Sequence, residues 1–253
     1  MYNARLTVER EHMKTYVVLN DIQIPFQDKV PLALAVKFIK LLKPDGVVLN
    51  GDVTDCYELS TFDKDPLTQA TLAREIKEAG KLMNDIAPHT KERLWLGGNH
   101  EDRLRRYIWK HAPILGVSNL ASFESVFRVG ESGFRYRPYG AYVNLGKLTV
   151  THGSIVRQNS GWSAKAHFDR MGASVLIGHT HRLGIFYKTN MKGVHAAYEN
   201  GCLCRLDPEY VQFPDWQQGF SVVHVGDGGW YHVQQLPILQ RKFLYYGKER
   251  ISL

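Results

Sequence analysis

Short apolar runs alternate with longer amphipathic segments along the first third of the chain, and this alternation constrains the fold more than any other feature. Apolar runs of strand length lie at 15–20, 46–50 and 93–97, and helical patterns at 30–43 and 67–87 separate them. The order strand–helix–strand–helix–strand is typical of parallel strands joined by crossover helices. We therefore expect an α/β protein built around a parallel sheet.

The rest of the chain is richer in strands that follow one another closely, which predicts antiparallel additions or a second sheet. Two more helices are predicted, at 102–111 and 161–172. Further strands are predicted at 141–145, 147–151, 174–178, 184–188, 194–198, 219–225 and 229–234.

The domain organisation follows from the same patterns, because no stretch rich in Pro, Gly and Ser divides the chain. We expect a polar N-terminal arm at 1–14, one domain at 15–235 and a basic-aromatic tail at 236–253. Segment 112–140 fits the alternation poorly and is predicted to be an insertion or cap over a site. The tail interleaves basic and aromatic residues as a nucleic-acid contact does, although packing of these aromatics on the domain is the favoured interpretation.

Charge and cysteine content narrow the class of protein. Lys and Arg outnumber Asp and Glu by 32 to 25, which favours an anionic partner such as a phosphorylated substrate or nucleic acid. Three cysteines do not make a disulfide framework. The apolar runs are too short for a membrane span and the N-terminus lacks an apolar signal region, so a cytoplasmic protein without membrane contact is expected. The oligomeric state is not predicted.

Residues of three types, Asp, Asn and His, stand where five of the apolar runs end. In an α/β sheet, ligands bind at the carboxyl ends of the strands, so side chains from all five ends can converge on one crevice. A single Asp after a strand is usually a turn or a helix cap, but five coincidences of this kind indicate a site. The residues are Asp21, Asp52, Asp55, Asn99, His100, His152, His179 and His181.

The chemistry of this set points to divalent metal ions. Carboxylate, amide and imidazole donors suit manganese, iron and zinc and disfavour ions that prefer thiolates. A carboxylate such as Asp52 can bridge two ions, and such a pair activates a bridging hydroxide as nucleophile and clamps a phosphoryl group during in-line attack. The set therefore predicts a metal-dependent hydrolase acting on phosphate esters.

The same residues, taken in order, resemble the motifs of the calcineurin-like metallophosphoesterase superfamily from about residue 15 to residue 204. The resemblance implies a four-layer α/β/β/α sandwich with two mixed sheets and a dinuclear metal site. The matching motifs are Asp21, Gly51-Asp52-x-x-Asp55, Gly98-Asn99-His100-Glu101, His152, Gly178-His179-Thr180-His181 and the segment 198–204.

The resemblance also implies a role for each residue. His100 would protonate the leaving group, and Asp55 would orient it as the second member of an Asp–His dyad. The implied ions are manganese above all, with iron, zinc, nickel or magnesium as alternatives. One ion would take Asp21, Asp52 and His181, and the other would take Asp52, Asn99, His152 and His179.

Gln23 is the departure from the pattern, because the family usually carries histidine two residues after the first aspartate. The amide oxygen of Gln23 either binds the first ion more weakly than an imidazole would or hydrogen-bonds a water on that ion. Two arginines, Arg103 in the helix after His100 and Arg182 after His181, are candidates for substrate binding.

Three functions fit these observations. A phosphodiesterase acting on nucleic acid or nucleotides is favoured by the basic charge, by the arginines behind His100 and by an acid suited to an alkoxide leaving group. A phosphomonoesterase acting on proteins or small molecules is the alternative. A binding module of the same fold that has lost catalysis is a third interpretation, with Gln23 as the first sign of the loss.

Overall fold

The computed structural model describes residues 12–117, 119–208 and 211–253; residues 1–11 of the predicted arm lie outside the described residues. The helices are α1 Lys29–Leu42, α2 Leu72–Ile86, α3 Asp102–His111, α4 Phe123–Val126 and α5 Trp162–Met171. The strands are β1 Lys14–Leu19, β2 Gly46–Asn50, β3 Glu92–Leu96, β4 Arg135–Arg137, β5 Tyr142–Leu145, β6 Leu148–Thr151, β7 Val175–Ile177, β8 Leu183–Asn190, β9 Gly193–Asn200, β10 Gly219–Val225, β11 Tyr231–Pro237, β12 Phe243–Tyr246 and β13 Glu249–Ser252.

The first sheet has the strand order β11-β10-β1-β2-β3-β4. Strands β1, β2 and β3 are parallel, as the alternation of strands and helices predicts, and β4, which no apolar run predicts, continues the parallel order. Two antiparallel strands from the C-terminal part of the chain, β10 and β11, extend the sheet on the other side of β1. The carboxyl ends of β1, β2 and β3 therefore lie side by side.

The second sheet has the order β5-β6-β7-β9-β8. Strands β6, β7 and β9 are parallel, and β5 and β8 add antiparallel edges. The expectation of an α/β protein with two mixed sheets is confirmed.

Successive side chains of β1 point to opposite faces of the first sheet, and this shows how the layers stack. Val17 and Leu19 pack into the apolar cluster that α1 and α2 share with the first sheet. Tyr16 and Val18 point the other way, into a cluster formed with the inner face of the second sheet. A third cluster joins the outer face of that sheet to Phe168 of α5. These three clusters are the ones that an α/β/β/α arrangement requires.

Helix α2 begins later than the helical pattern at 67–87 predicts. Thr71 is the N-cap, and its side chain accepts a hydrogen bond from the backbone N–H of Arg74. A threonine that satisfies an otherwise unpaired N–H fixes the first turn of a helix, so the helix begins at Leu72 and residues 67–71 belong to the preceding loop.

Segment 112–140, predicted as an insertion or cap, contributes to the body of the protein. Its strand β4 is the edge of the first sheet, and Phe123 and Phe127 of the same segment are buried against Trp95, with ring centroids 5.3 and 6.3 Å away. A role of its other residues as a cap stays a prediction.

The C-terminal tail forms the hairpin β12–β13. Leu244 and Ile251 belong to the core cluster around α1 and α2, and the ring of Tyr246 meets Phe38 of α1 edge-on at 5.2 Å. Two of the tail's apolar side chains and one of its aromatics thus pack on the domain. Within the described ranges, no helix is both long and apolar enough to cross a membrane.

Candidate metal centre and its acid–base dyad

The loops that follow β1 and β2 are hydrogen-bonded to each other, which brings their polar side chains to one edge of the first sheet. The N–H of Asp21 donates to the carbonyl of Gly51 at 3.0 Å, and the N–H of Gln23 donates to the carbonyl of Asp52 at 2.9 Å. A link across the sheets, from Asn50 Nδ2 to the carbonyl of Thr151 at 3.0 Å, aligns β2 with β6. The convergence expected from the sequence is therefore present in the structure.

One group of candidate metal-binding side chains lies around His181 Nε2. This nitrogen lies 3.1 Å from Asp21 Oδ1 and 3.2 Å from Gln23 Nε2. A half-turn of the Gln23 amide would place its oxygen where Nε2 now lies, beside His181 Nε2, because the two ends of the amide have similar shapes. Asp21, Gln23 and His181 are all buried.

A second group of candidate metal-binding side chains lies around His152 Nε2. This nitrogen lies 3.2 Å from Asp52 Oδ2 and 3.2 Å from Asn99 Oδ1. His179 completes the group, since donor atoms of Asp52, His152 and His179 all lie within 4.8 Å of one another. The resemblance implies Asp52 in both ligand sets, and the structure brings it close to His152 and His179 of the second. Binding of metal ions by these residues stays a prediction.

Hydrogen bonds at the far side of the rings orient two of the histidines. His152 Nδ1 donates to the carbonyl of Asn50 at 2.9 Å, which leaves Nε2 as the nitrogen that faces Asp52. His181 Nδ1 lies 3.7 Å from the thiol of Cys204. Such partners fix the ring of a metal-binding histidine, and the Cys204 contact was not foreseen because the two residues are far apart in sequence.

The electrostatics of the centre favour cations. Burial alone would lower the pKa of His152, but the Asp52 carboxylate outweighs burial and raises that pKa to about 10. Burial alone would raise the pKa of Asp52, but His100 and His152 hold it well below the usual range. Burial and His152 together lower the pKa of His179 to about 4. His179 is thus a neutral imidazole near neutral pH, whereas His152 carries a proton that a bound metal ion would displace.

An unsatisfied oxygen supports the fit to metal ions. Asp21 Oδ1 is buried and has no hydrogen-bond partner among the described residues, although His181 Nε2 lies 3.1 Å away. A buried polar atom without a partner is costly, and a cation held jointly by this oxygen and the imidazole would satisfy it. The oxygen and nitrogen donors fit divalent ions.

The backbone at the centre is unusual. Five of the candidate ligands have left-handed backbone conformations: Asp21 (φ 49°), Gln23 (φ 52°), Asp52 (φ 49°), His179 (φ 69°) and His181 (φ 59°). Each such residue costs on the order of 1 kcal/mol, and strain of this kind collects at functional sites where the surrounding structure enforces it.

Gly98 is required by close packing against Asp52. A Cβ atom at this position would lie 2.1 Å from Asp52 Oδ1, which is far inside van der Waals contact. Any side chain here would displace the carboxylate from the centre. The position before Asn99 therefore requires glycine for steric reasons.

Glu101 holds the loop that carries Asp52. Its buried carboxylate accepts hydrogen bonds from the backbone N–H groups of Asp52 (2.8 Å), Val53 (2.7 Å), Thr54 (3.0 Å) and Gly98 (2.7 Å). Glu101 belongs to one of the sequence motifs, but the sequence predicts no role for it.

Glu75, from α2, supports the next part of the same loop. It accepts from the N–H groups of Cys56 (2.6 Å) and Tyr57 (2.9 Å). Nothing in the sequence signals this role, since Glu75 lies within an ordinary amphipathic helix.

His100 and Asp55 form the predicted dyad. His100 Nδ1 lies 3.0 Å from Asp55 Oδ2, and His100 Nε2 faces the centre, 3.7 Å from Asp52 Oδ2. Burial would lower the pKa of His100, but the carboxylates of Asp52 and Asp55 outweigh burial and raise it. His100 can therefore carry a proton near neutral pH.

The two arginines predicted to bind substrate are already engaged with the protein. Arg103 Nη1 donates to Asp55 Oδ1 at 2.6 Å and to the carbonyl of Asp55 at 2.8 Å. Arg182 is buried, and one of its nitrogens donates to the carbonyl of Gln158 at 2.6 Å. The placement of Arg182 favours a structural role, and substrate binding by either arginine stays a prediction.

This chain is similar to a known protein family and to two phage proteins. A family model described as calcineurin-like phosphoesterase matches residues 14–183. The Gene 54 protein of Mycobacterium phage D29 is 31% identical over 91% of this chain and 96% of its own length. The Gene 54 protein of Mycobacterium phage L5 is 30% identical over 93% of this chain and 98% of its own length.

Solved structures share the fold at low sequence identity. Vacuolar Protein Sorting 29 from Cryptosporidium parvum superimposes with a TM-score of 0.54 at 16% identity, over 95% of this chain and 99% of that one. Purple acid phosphatase PPD1 from yellow lupin superimposes with a TM-score of 0.50 at 13% identity, over 93% of this chain and 53% of that one.

Proposed function

Because this chain belongs to the calcineurin-like phosphoesterase family, we propose that it is a metal-dependent phosphodiesterase acting on nucleic acid or nucleotides. The observation that carries the proposal is the dyad at the edge of the metal centre, His100 Nδ1 at 3.0 Å from Asp55 Oδ2. A family member that had lost catalysis would have no use for an acid held in this orientation.

The chain's own residues provide the proton and its placement. Asp55 accepts from His100 Nδ1–H, so the second N–H of a protonated His100, at Nε2, faces the substrate. Arg103 holds Asp55 in turn. His100 then donates its Nε2 proton to the departing alkoxide, and such a transfer accelerates reactions about 10²- to 10⁴-fold.

Seven residues would hold two divalent ions, with manganese as the proposed metal. When bound, the ions would activate a water for attack and neutralise charge on the phosphoryl group. The residues are Asp21, Gln23, Asp52, Asn99, His152, His179 and His181.

A diester is favoured over a monoester by the space beside the dyad. A cleft of about 620 Å³ is lined by His100, Asn99 and Gln23, so a second substituent on the phosphorus has room in addition to the leaving group that His100 would protonate. A monoester has no such substituent. Phosphomonoester hydrolysis is the alternative within the same family.

A non-catalytic binding role is the candidate from another class, and Gln23 is the observation that favours it. A neutral amide in the position where the family usually has histidine weakens the first group of donors. The complete second group and the dyad support catalysis.

The test compares hydrolysis of bis-4-nitrophenyl phosphate and 4-nitrophenyl phosphate by the manganese-loaded protein. Faster cleavage of the diester, lost in Asn99→Ala, would support the proposal, and Asn84→Ala is the matched control because Asn84 is exposed on α2. Cleavage of the monoester alone would make the protein a phosphatase. No cleavage of either, with tight manganese binding, would favour the binding role.

A further inference from the structure

The cleft beside the metal centre continues well beyond the ligand residues. Its volume of about 620 Å³ lies within the range of small-molecule sites, about 300–1,000 Å³. Gln23, Asn99 and His100 form the end at the metal centre. A phosphate at the centre would therefore have its substituent inside this cleft.

Four aromatic side chains, Phe26, Tyr57, Phe62 and Trp216, line the remainder of the cleft. Phe26 and Tyr57 meet edge to face with ring centroids 5.3 Å apart. The ring of Trp216 meets His181 with centroids 4.1 Å apart, so the aromatic wall begins at a candidate ligand.

The loops of the metal centre carry three of these rings. Phe26 is on the loop that carries Gln23, and Tyr57 and Phe62 are on the loop that carries Asp55. The positions of these rings relative to a bound phosphate are thus set by the same short segments that place the donors.

Phe62 is the ring with the least protein around it. Its side chain is 76% exposed although it lines the cleft. An exposed ring at the mouth of a cleft has an open face on which a planar group can stack.

We propose that this aromatic cleft is a subsite for one nucleoside, whose phosphate lies at the metal centre. The inference rests on the proposed phosphodiesterase function and specifies its substrate class. A nucleoside phosphate has the required order of groups, with an anion at one end and a planar aromatic base at the other. Stacking of bases on aromatic side chains is the usual mode of such recognition.

The polar groups of the cleft fit a single nucleoside better than a longer strand. Ser60, Thr68 and Asp63 also line it and can bond the edge of a base or its sugar. Asp63 adds negative charge away from the centre, whereas Asp207 is neutralised by Arg205, which donates to it at 2.9 and 3.0 Å. A second phosphate in this part of the cleft would therefore meet the carboxylate of Asp63.

The experiment uses two substrates with the same charge and the same type of leaving group. One is thymidylyl-thymidine. The other is an analogue that lacks both bases, because a tetrahydrofuran ring replaces each sugar that carries one. The ratio of their kcat/KM values is measured for the manganese-loaded full chain, for Phe62→Ala and for Phe213→Ala. Phe213 is the matched control because it is 98% exposed and does not line the cleft.

The wild-type protein should prefer the substrate with bases, and Phe62→Ala should reduce this preference about 5- to 30-fold. Phe213→Ala should leave the preference unchanged. Cleavage of both substrates with equal efficiency, or a preference that survives Phe62→Ala, would overturn the subsite and leave the phosphodiesterase function intact.

Calorimetric titration with thymidine 5′-monophosphate separates failure of the subsite from failure of the function. If no diester is cleaved, binding that Phe62→Ala weakens would still support the subsite, and absence of binding would overturn it. A Phe62-dependent turnover of a phosphotyrosine peptide, without nucleotide binding, would overturn it in favour of a protein substrate.

Discussion

Replacement of Glu101 by glutamine tests whether one buried carboxylate holds the loop of the metal centre. Oε2 accepts from the N–H groups of Asp52 and Gly98, and Oε1 accepts from those of Val53 and Thr54. Glutamine replaces one oxygen by an NH₂ group. Whichever way the amide turns, two backbone N–H groups then face a donor.

The expected loss of stability follows from those two groups. Each buried N–H left without an acceptor costs about 1–3 kcal/mol, so Glu101→Gln should lower the free energy of unfolding by about 2–6 kcal/mol. This is a large part of the total stability of an ordinary domain, about 5–15 kcal/mol. Because Asp52 is on the same loop, the variant should also bind manganese more weakly.

Urea unfolding measures the first effect and calorimetric titration with manganese measures the second. Glu131→Gln serves as the control, since the Glu131 side chain is exposed and lies 4.0 Å from Arg128. Burial and the charge of Asp52 raise the pKa of Glu101. An unchanged free energy of unfolding would mean that Glu101 is protonated in the native protein. Glu101 would then not hold the loop as a carboxylate that accepts four hydrogen bonds.

Three other changes have defined outcomes. His100→Ala should slow cleavage of thymidylyl-thymidine about 10²- to 10⁴-fold but slow bis-4-nitrophenyl phosphate less, because nitrophenolate leaves without a proton; equal losses would contradict the role as acid. Gln23→His should tighten binding of the first manganese ion in a calorimetric titration, and unchanged occupancy would contradict Gln23 as a ligand. Burial raises the pKa of Glu75 from 4.5 to about 8. Between pH 4.5 and about pH 8, the folded protein therefore binds more protons than the unfolded chain. Its free energy of unfolding falls by up to about 1.4 kcal/mol per pH unit as pH rises through this range. Urea unfolding at pH 5 and pH 8 should show a smaller loss in Glu75→Gln, and an identical loss would contradict the raised pKa.

The sequence predicts most of the strands that carry the centre, because their apolar runs and the polar residues after them are local features. Predictions for 15–20, 46–50 and 93–97 agree with β1, β2 and β3 within one residue at each end. The polar residues around His152 and His181 are marked by the same pattern. They come from both sheets, and the packing of one sheet on the other that brings them together is not a local feature.

Elements that depend on distant contacts were not predicted. Strand β4 has the sequence Arg-Tyr-Arg and shows no apolar run, and its pairing with β3 defines it. The start of α2 was misplaced for a local reason, because the N-cap residue Thr71 could not be distinguished from other polar residues in its loop. The hairpin β12–β13 is stabilised by Leu244 and Ile251 in a core that the rest of the chain builds.

The order of strands in the first sheet affects how the protein is made. Val17 of β1 pairs with Val47 on one side and with Val222 of β10 on the other. On the ribosome, the edge of β1 that faces β10 has no partner until residues 219–225 emerge, so the first sheet stays incomplete while the segment between β1 and β10 is synthesised. Unpaired edges recruit strands of other chains, and closure across long stretches of sequence slows folding. A fragment that ends at residue 183 would contain every candidate ligand yet lack β9 and β10, so we expect it to aggregate during expression.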